Sequence, residues 1–280
     1  MKFQVFVNPK RPKIPIEKIV QRVQGSGLTY SQSDADIAIV VGGDGTFGYY
    51  GRILDTPMLF VGAREPNILG SKAKLAQAIY NYDFEKVLHN ISKGNYNILE
   101  KSMLSISVNG RPESEVLTDV YLERSRFAGC IRYIISISRY AGNRRDISSL
   151  PFKEYAIGNG IIVSTSFGST GYFSYPNWFK SKKLKERQNN NTPLFSDNKL
   201  GVCHIIPNFL IREKDKEQNI TRIAQYTIPI SSKVKIKLIR DANCRLYGTT
   251  KDSKGIPIRI KDTITISQSE NKAKIIKPMK

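Results

Sequence analysis

One acidic residue of this sequence stands among glycines directly after an apolar run. The run at residues 37–41 is rich in β-branched residues, typical of a buried strand, and is followed by Gly42-Gly43-Asp44-Gly45-Thr46, here called the GGDGT loop. Glycine permits backbone conformations and a close ligand approach that other residues prevent. Ligands of open α/β sheets bind at the carboxyl ends of strands. We therefore expect this loop to contact a phosphate or nucleotide and to present the Asp44 carboxylate for chemistry.

A second stretch, here called the hydroxyl loop, concentrates hydroxyl side chains and glycines. It covers residues 164–172 and follows a predicted strand at residues 160–163, which is itself preceded by Gly158 and Asn159. Hydroxyls and main-chain N–H groups suit phosphate or ribose oxygens, and the tyrosine at its end suits a base or nicotinamide ring. Runs of Ser, Thr and Gly are more often simple turns, so this stretch alone leaves both interpretations open.

The surrounding patterns predict two different architectures along the chain. Up to residue 97, strand-like apolar runs alternate with helical spacing, including a predicted helix over residues 71–91, which indicates a parallel sheet flanked by helices. Beyond that point, short alternating segments separated by turn signals such as Asn109-Gly110 indicate an all-β, sandwich-like domain. We therefore expect an α/β nucleotide-binding domain at residues 1–97 and a β-rich domain at residues 98–280. The latter is expected to carry a basic, mobile insertion at residues 180–198.

The composition limits which binding partners and which cellular compartment are expected for this protein. The net charge of +20, from 44 basic and 24 acidic residues, predicts nonspecific attraction to polyanions, but no motif for specific nucleic-acid binding is evident. No apolar run reaches the ~18–20 residues of a membrane span, and the N-terminus lacks signal-peptide features. We expect a cytoplasmic protein with no membrane contact. The three cysteines are far apart, and His89 and His204 are expected to be surface or core residues, so no metal site held by the protein is predicted.

Together, the two loops resemble the hallmark motifs of the NAD kinase family. That family has a Gly-Gly-Asp-Gly-Thr loop in an α/β domain. Well downstream, in a β domain, it has a loop similar to Asp-Gly-x-x-x-Ser-Thr-x-x-Gly-Ser-Thr-Ala-Tyr. The order and spacing agree here, and the resemblance covers most of the chain, although strict identity is confined to the two motifs. Diacylglycerol kinases, sphingosine kinases and phosphofructokinases have loops similar to the first motif, whereas the second motif favours NAD kinases.

The resemblance implies a reaction and a set of site residues. The terminal phosphoryl group of ATP, or in some members of polyphosphate, is transferred to the 2′-hydroxyl of the adenosine ribose of NAD, which gives NADP. Asp44 is implied as the base that takes the hydroxyl proton, and Gly42, Gly43, Gly45 and Thr46 are implied as the phosphate contacts. The implied NAD contacts lie in the second domain: Thr118, Asp119, Asn159, Ser164, Thr170, Gly171 and Tyr172. Mg²⁺ is expected to arrive with ATP, and family members commonly form dimers or tetramers, which implies a homo-oligomer.

The chain departs from the family pattern mainly where NAD contacts are implied. Thr118-Asp119 stands where the family has Asn-Glu, and Asn159 stands where it has Asp. Residues 173–178 and 64–70 also differ from the corresponding family segments. Thr lacks the paired donor and acceptor of an amide, and Asn lacks the charge of a carboxylate. NAD kinase is therefore the first hypothesis. There are two alternatives. One is a kinase whose hydroxyl acceptor is a different compound, either nucleoside-containing or a lipid. The other is a non-catalytic protein that binds a nucleotide or a polyanion.

Overall fold

The computed structural model describes residues 1–8, 14–63, 73–125, 129–139, 151–176, 193–213, 224–240, 242–249 and 254–279. The chain forms two compact units, Met1–Lys101 with Lys272–Lys280, and Ser102–Asn271. The sequence analysis placed residues 272–280 in the β-rich domain. They join the first unit because the last strand pairs there through Ile275 and Met58.

The helices and strands follow one another along the chain in this order: β1 (Lys2–Val7), α1 (Ile16–Gln24), β2 (Thr29–Tyr30), β3 (Ile37–Gly42), α2 (Asp44–Tyr50), β4 (Met58–Gly62), β5 (Ala78–Ile79), α3 (Phe84–Ser92), β6 (Tyr96–Val108), β7 (Arg111–Val116), β8 (Asp119–Arg124), β9 (Ile131–Arg139), β10 (Phe152–Gly158), β11 (Gly160–Ser164), β12 (Lys199–Ile205), β13 (Phe209–Arg212), β14 (Gln225–Pro229), β15 (Ser232–Leu238), β16 (Cys244–Tyr247), β17 (Ile256–Ile258) and β18 (Thr263–Pro278). Two short 3-10 helices, Phe167–Thr170 and Tyr172–Ser174, lie between β11 and β12.

The first unit is built on a parallel sheet with the strand order β2–β1–β3–β4. Strand β5 and the end of β18 also pair in parallel with β4. Strands β3 and β4 are buried along their whole lengths, as expected for parallel strands covered on both faces. Helices α1 and α3 contribute Ile19, Val23, Phe84 and Leu88 to the same core. The predicted α/β architecture is confirmed.

The helix predicted over residues 71–91 is shorter in the structure. Residues 71–72 are outside the described ranges, and Ala78–Ile79 forms β5 beside β4. The Gln77 side chain accepts the N–H of Phe60 at 2.9 Å and thereby ties this segment to β4. Helix α3 begins only at Phe84, after Asp83 has accepted the N–H of Ile79. Sheet pairing therefore takes Ile79 from the predicted helix face, whereas Val87 and Leu88 of the same face lie on α3.

The second unit is a sandwich of two sheets. One sheet has the antiparallel order β13–β10–β9–β15–β18, and the other has the antiparallel order β14–β12–β11–β8–β16–β17. Side chains of both sheets form one core, which includes Ile135 and Val234 from the first sheet and Val163 and Leu246 from the second. Asn109 and Gly110 have positive φ angles, as a tight hairpin turn between β6 and β7 requires. The predicted β-sandwich is confirmed.

Two segments singled out in the sequence fall largely beyond the described ranges. Of the predicted insertion at residues 180–198, residues 180–192 lie outside them, as do residues 64–70. Leu194 and Phe195 are described and pack beside Phe173, so this end of the predicted insertion belongs to the packed second unit. Among the described residues, no helix is both long and apolar enough to cross a membrane.

Candidate active site

The GGDGT loop joins the end of β3 to the start of α2. Gly43 is extended, with φ −108° and ψ 179°, and precedes Asp44 as the first residue of the helix. The Gly43 carbonyl accepts the N–H groups of Thr46 and Phe47 at 2.9 and 3.1 Å, which closes the first helical turn. The half-buried Asp44 carboxylate accepts the N–H of Leu75 through Oδ1 at 3.0 Å. The structure thus places Asp44 at the carboxyl edge of the parallel sheet, as the sequence predicts.

Two residues of the GGDGT loop hold its shape. A Cβ on Gly42 would lie 2.6 Å from Oγ1 and 2.7 Å from Cβ of Thr46, so only glycine fits at the end of β3. Thr46 is buried, and its hydroxyl accepts the Asn8 side-chain amide at 3.3 Å. Gly45 differs from both, because it is exposed and a Cβ on it would meet no atom within 4 Å. The protein itself therefore does not require glycine at position 45.

This contrast predicts different outcomes for two alanine substitutions. Gly42→Ala is expected to lower the free energy of unfolding by about 1–3 kcal/mol, because the new methyl overlaps Thr46. Gly45→Ala is expected to leave thermal stability unchanged or raised, because alanine is favoured in exposed helices. If a phosphate approaches the Gly45 backbone, the same substitution is expected to lower phosphoryl transfer about tenfold or more. Thermal unfolding and NADP formation, measured on both variants, separate the two effects, and full activity of Gly45→Ala would contradict the close approach.

The hydroxyl loop uses much of its polar chemistry to hold itself against β8. The Thr165 hydroxyl donates to the Leu117 carbonyl at 2.7 Å and accepts the N–H of Gly168 at 3.1 Å. The N–H of Thr165 donates to the Thr118 carbonyl at 2.9 Å. Ser164 is fully buried, and its hydroxyl donates to the Thr165 carbonyl at 2.9 Å. Ser164 and Thr165 therefore stabilise the loop, as the simple-turn interpretation predicts.

The loop also brings several implied NAD contacts together. Asp119 pairs with Ser164 across β8 and β11. A Cβ on Gly168 would lie 2.5 Å from the Thr118 carbonyl carbon, so glycine permits the loop to rest on that backbone. A Cβ on Gly171 would lie 3.9 Å from Oδ2 of Asp119. Thr170 is buried in the same loop. The segment 118–119 and the segment 164–172, distant in sequence, form one cluster.

Tyr172 extends from this cluster along the outer side of β8. Its hydroxyl donates to Oε1 of Glu123 at 3.1 Å, and its ring contacts Tyr121 edge to face, with centroids 5.0 Å apart. Burial, followed by the nearby Glu123 carboxylate, raises the pKa of Tyr172 well above its usual value. The phenol therefore stays protonated and acts as a donor. The sequence analysis missed Glu123, although Asp119, Tyr121 and Glu123 share one face by strand alternation.

Asn159 lies away from the start of the hydroxyl loop. It precedes β11, whereas Ser164 ends that strand, and five residues of extended chain span roughly 17 Å. The backbone of Asn159 is held by Arg124 and Ile205, at 3.0 and 2.9 Å. Tyr172 connects the hydroxyl loop to the Asn159 end of β11, because its hydrogen-bond partner Glu123 pairs with Gly160 across β8 and β11. An NAD contact for Asn159 stays a prediction.

A buried polar network, here called the Glu154 network, crosses the sandwich core. Glu154 and His204 are fully buried, with Oε2 and Nε2 3.2 Å apart. Oε1 of Glu154 accepts two N–H groups of Arg212 at 2.8 and 3.1 Å, and Oε2 accepts the Tyr226 hydroxyl. The Tyr133 hydroxyl contacts Nδ1 of His204 at 2.7 Å. Burial would raise the pKa of Glu154, but the hydrogen bonds from His204, Tyr226 and Arg212 outweigh it and lower that pKa.

The Glu154 network refines the expectation for His204. The sequence left surface and core positions open for that residue, and it is a core residue that belongs to a charged cluster which nothing in its sequence neighbourhood indicated. Within the described part of the chain, no three His, Cys, Asp or Glu side chains are grouped so that they could hold a metal ion.

Comparisons with known proteins find NAD kinases. No family model matches the chain. An NAD kinase of Clostridium perfringens is 29% identical over 143 residues, which covers 49% of this chain and 45% of that protein. An NAD kinase of Thermoplasma acidophilum is 24% identical over 257 residues, which covers 91% of this chain and 78% of that protein. The chain thus spans less than half the length of the first of these relatives.

Solved structures show the same architecture. An NAD kinase from Archaeoglobus fulgidus in complex with ATP superimposes with a TM-score of 0.64 at 16% identity, covering 98% of this chain and 93% of that chain. Yeast NADH kinase complexed with NADH gives a TM-score of 0.67 at 13% identity, covering 100% and 84%. At such low identities the likeness shows the fold.

The two units and their loops define the class of protein. An α/β unit with a GGDGT loop and a β-sandwich unit with a hydroxyl loop constitute the fold of the NAD kinases. The sequence matches agree with this fold, since the chain is 29% and 24% identical to the two NAD kinases named above over the stretches that align. The resemblance stated from the two motifs is confirmed.

Proposed function

We propose that this protein is an NAD kinase that transfers a phosphoryl group from ATP, or from polyphosphate, to the 2′-hydroxyl of the adenosine ribose of NAD, giving NADP. The observation that carries the proposal is the placement of Asp44. Its carboxylate lies in the GGDGT loop at the carboxyl edge of a buried parallel sheet, positioned by the N–H of Leu75. The sequence likeness to NAD kinases supports the choice of substrates.

Asp44 is proposed to act as the general base. As the 2′-hydroxyl oxygen bonds to the γ-phosphorus of ATP, the bond from that phosphorus to the bridging oxygen breaks and ADP leaves. The hydroxyl proton passes to the Asp44 carboxylate. Phosphoryl transfer otherwise depends on positioning and on neutralising charge. The N–H of Leu75 holds the Asp44 carboxylate, so this side chain is already oriented before the substrates bind.

The remaining GGDGT residues are proposed to serve the phosphates. Gly45 offers an exposed backbone that a ligand can approach, and Gly42 and Gly43 hold the turn. Thr46 is proposed to contribute mainly through its place in the loop, because its hydroxyl accepts Asn8. We propose Mg²⁺ as the cofactor, arriving with ATP, since Mg²⁺ binds nucleotide phosphates and keeps several of its water ligands. When bound, Mg²⁺ would neutralise charge on the transferred phosphoryl group.

The second unit is proposed to bind the dinucleotide. Gly171 lies beside Asp119 between Thr170 and Tyr172, and the Tyr172 side chain is held in place by Glu123 and Tyr121. The Archaeoglobus neighbour was solved with ATP and the yeast neighbour with NADH, and these ligands are carried to this chain as proposed partners. We further propose that the protein is a cytoplasmic homo-oligomer. Light scattering would measure the mass of the oligomer.

A direct assay tests the proposed reaction. The purified protein is incubated with NAD, Mg²⁺ and either ATP or polyphosphate, and NADP is measured with an NADP-specific dehydrogenase. NADP formation with one donor and not with the other identifies the donor. The absence of NADP with both donors, in protein shown to be folded by circular dichroism, would contradict the proposal.

A kinase with a different hydroxyl acceptor is the second candidate. It is favoured by Thr118, which replaces an amide, and by the position of Asn159 at the far end of β11 from Ser164. ATP hydrolysis that a metabolite extract stimulates, but NAD does not, would support it. Efficient NADP formation would exclude it as the main activity.

Restoring the family residue at position 118 distinguishes the two acceptor hypotheses. Thr118→Asn adds a hydrogen-bond donor and an acceptor to the side chain. If NAD binds beside residue 118, this variant is expected to lower KM for NAD about two- to tenfold, which is the contribution of one hydrogen bond. Steady-state kinetics at varied NAD concentration measure this change. Ser114→Asn, on β7, is the matched control and is expected to leave KM unchanged. An unchanged or higher KM in Thr118→Asn would place NAD away from this residue.

A further inference from the structure

One face of the second unit is both basic and aromatic. It is the outward side of β13–β10–β9–β15, here called the outer face, since the alternate residues of these strands are buried in the sandwich core. The outward positions are Arg132, Ile134, Ser136, Ser138, Lys153, Tyr155, Ile157, Phe209, Ile211, Lys233, Lys235 and Lys237.

The charge of the outer face is strongly one-sided. The described outward positions of the four strands include five cations, Arg132, Lys153, Lys233, Lys235 and Lys237, and no acid. Among the described residues, Glu213, directly after β13, is an acid beside them; it lies 3.9 Å from Lys153 and accepts the Tyr155 hydroxyl. Lys235 and Lys237 are exposed and stand two residues apart on one strand, a spacing of about 6.7 Å. A polyanion can therefore contact successive lysines along β15.

An apolar cavity of about 470 Å³ lies at one end of this face. Its lining includes Tyr155, Ile157, Phe209 and Ile239, with Arg132 among them. Phe209 is 47% exposed and Ile239 is 44% exposed, which is high for such large apolar side chains. Pockets that bind small molecules are typically about 300–1,000 Å³ and lined mainly by apolar and aromatic side chains. The outer face thus joins an aromatic cavity to a row of lysines.

We propose that the outer face binds single-stranded nucleic acid without sequence preference. Proteins of this kind combine cations that follow the backbone with aromatic side chains on which bases stack. An unpaired base would enter the cavity against Phe209 and Tyr155, while the phosphates contact Lys235 and Lys237. The net charge of +20 adds long-range attraction. A second copy of the chain fits less well, because a two-fold contact through this face would bring like charges together.

Fluorescence anisotropy tests the lysine row. The probes are a labelled oligothymidylate and oligouridylate of about 16 nucleotides, titrated between about 50 and 200 mM salt. The double variant Lys235→Glu with Lys237→Glu is expected to raise Kd about tenfold or more, and to reduce the salt slope by about 1.4. The matched control is Lys18→Glu with Lys86→Glu, on exposed positions of α1 and α3, and it is expected to raise Kd less than about threefold. Equal losses in the two double variants would overturn the proposal.

A second variant tests the cavity. Phe209→Ala is expected to weaken oligonucleotide binding about 5- to 100-fold, the range for one stacked base. Tyr82→Ala, at an 87% exposed aromatic of the first unit, is the control and is expected to have no effect. Duplex binding as tight as single-strand binding, with no response to Phe209→Ala, would overturn the proposal. So would a dimer that Phe209→Ala dissociates, in protein that binds no oligonucleotide.

These outcomes are independent of the proposed kinase reaction. The outer face contains none of the residues assigned to phosphoryl transfer, so all of these variants are expected to form NADP at the rate of the unsubstituted protein.

Discussion

Replacing Asp44 with asparagine is expected to lower the rate of NADP formation about 10²- to 10⁴-fold, the usual contribution of a general base. The amide oxygen can still accept the N–H of Leu75, so the loop is expected to keep its shape. What is lost is the acceptor for the 2′-hydroxyl proton. Initial rates with saturating ATP and NAD, together with the thermal midpoint, measure both expectations.

Asp83→Asn provides the matched control for this experiment. Asp83 also lies at the start of a helix of the first unit, and its carboxylate also accepts a backbone N–H, that of Ile79. It has no role in the proposed reaction, so NADP formation is expected to be unchanged. Equal activity of Asp44→Asn and the unsubstituted protein would overturn the role assigned to Asp44, while leaving the NAD kinase reaction itself open to other bases.

Replacing Glu154 with alanine is expected to lower the free energy of unfolding by about 3–5 kcal/mol, because it breaks a buried ion pair on one side only. His204 would remain fully buried without its carboxylate partner, and Arg212 would lose both of its hydrogen bonds to Oε1. Urea unfolding measures the change. Glu213→Ala removes an exposed carboxylate 3.9 Å from Lys153 and is expected to cost less than about 1 kcal/mol.

The pH dependence of stability provides a second measurement on the same network. The pKa of Glu154 is lowered in the folded protein, so its charged form stabilises the fold above the unfolded value near 4.5. That contribution is lost as the pH falls through the lowered folded value. Glu154→Gln is therefore expected to show a flatter stability curve than the unsubstituted protein between the unfolded pKa near 4.5 and the lowered folded pKa. Parallel curves for the two proteins would show that the Glu154 charge does not stabilise the fold.

Prediction from sequence succeeded where the pattern is local. The buried parallel strand β3, followed by glycines, placed Asp44 correctly, because a fully covered strand is a continuous apolar run that ends abruptly. The turn at Asn109-Gly110 was correct for a similar reason, since both residues adopt positive φ angles readily. The helix predicted over residues 71–91 was partly wrong. Ala78 and Ile79 form a short strand beside β4 instead.

The sequence was sufficient to locate the two loops and to indicate the resemblance to NAD kinases, because each loop is a contiguous pattern of residues: glycines around one acid in the first, and glycines with hydroxyls in the second. The hydrogen-bond partners of those loops were determined only by the tertiary structure. Asp44 bonds to Leu75, 31 positions away, and Tyr172 bonds to Glu123, 49 positions away. His204 meets Glu154 across 50 positions in the sandwich core. Glu123 and His204 lie on strands, so their strand register determines which side chains they meet. Register depends on the packing of the whole sheet, so no local pattern in the chain reveals it.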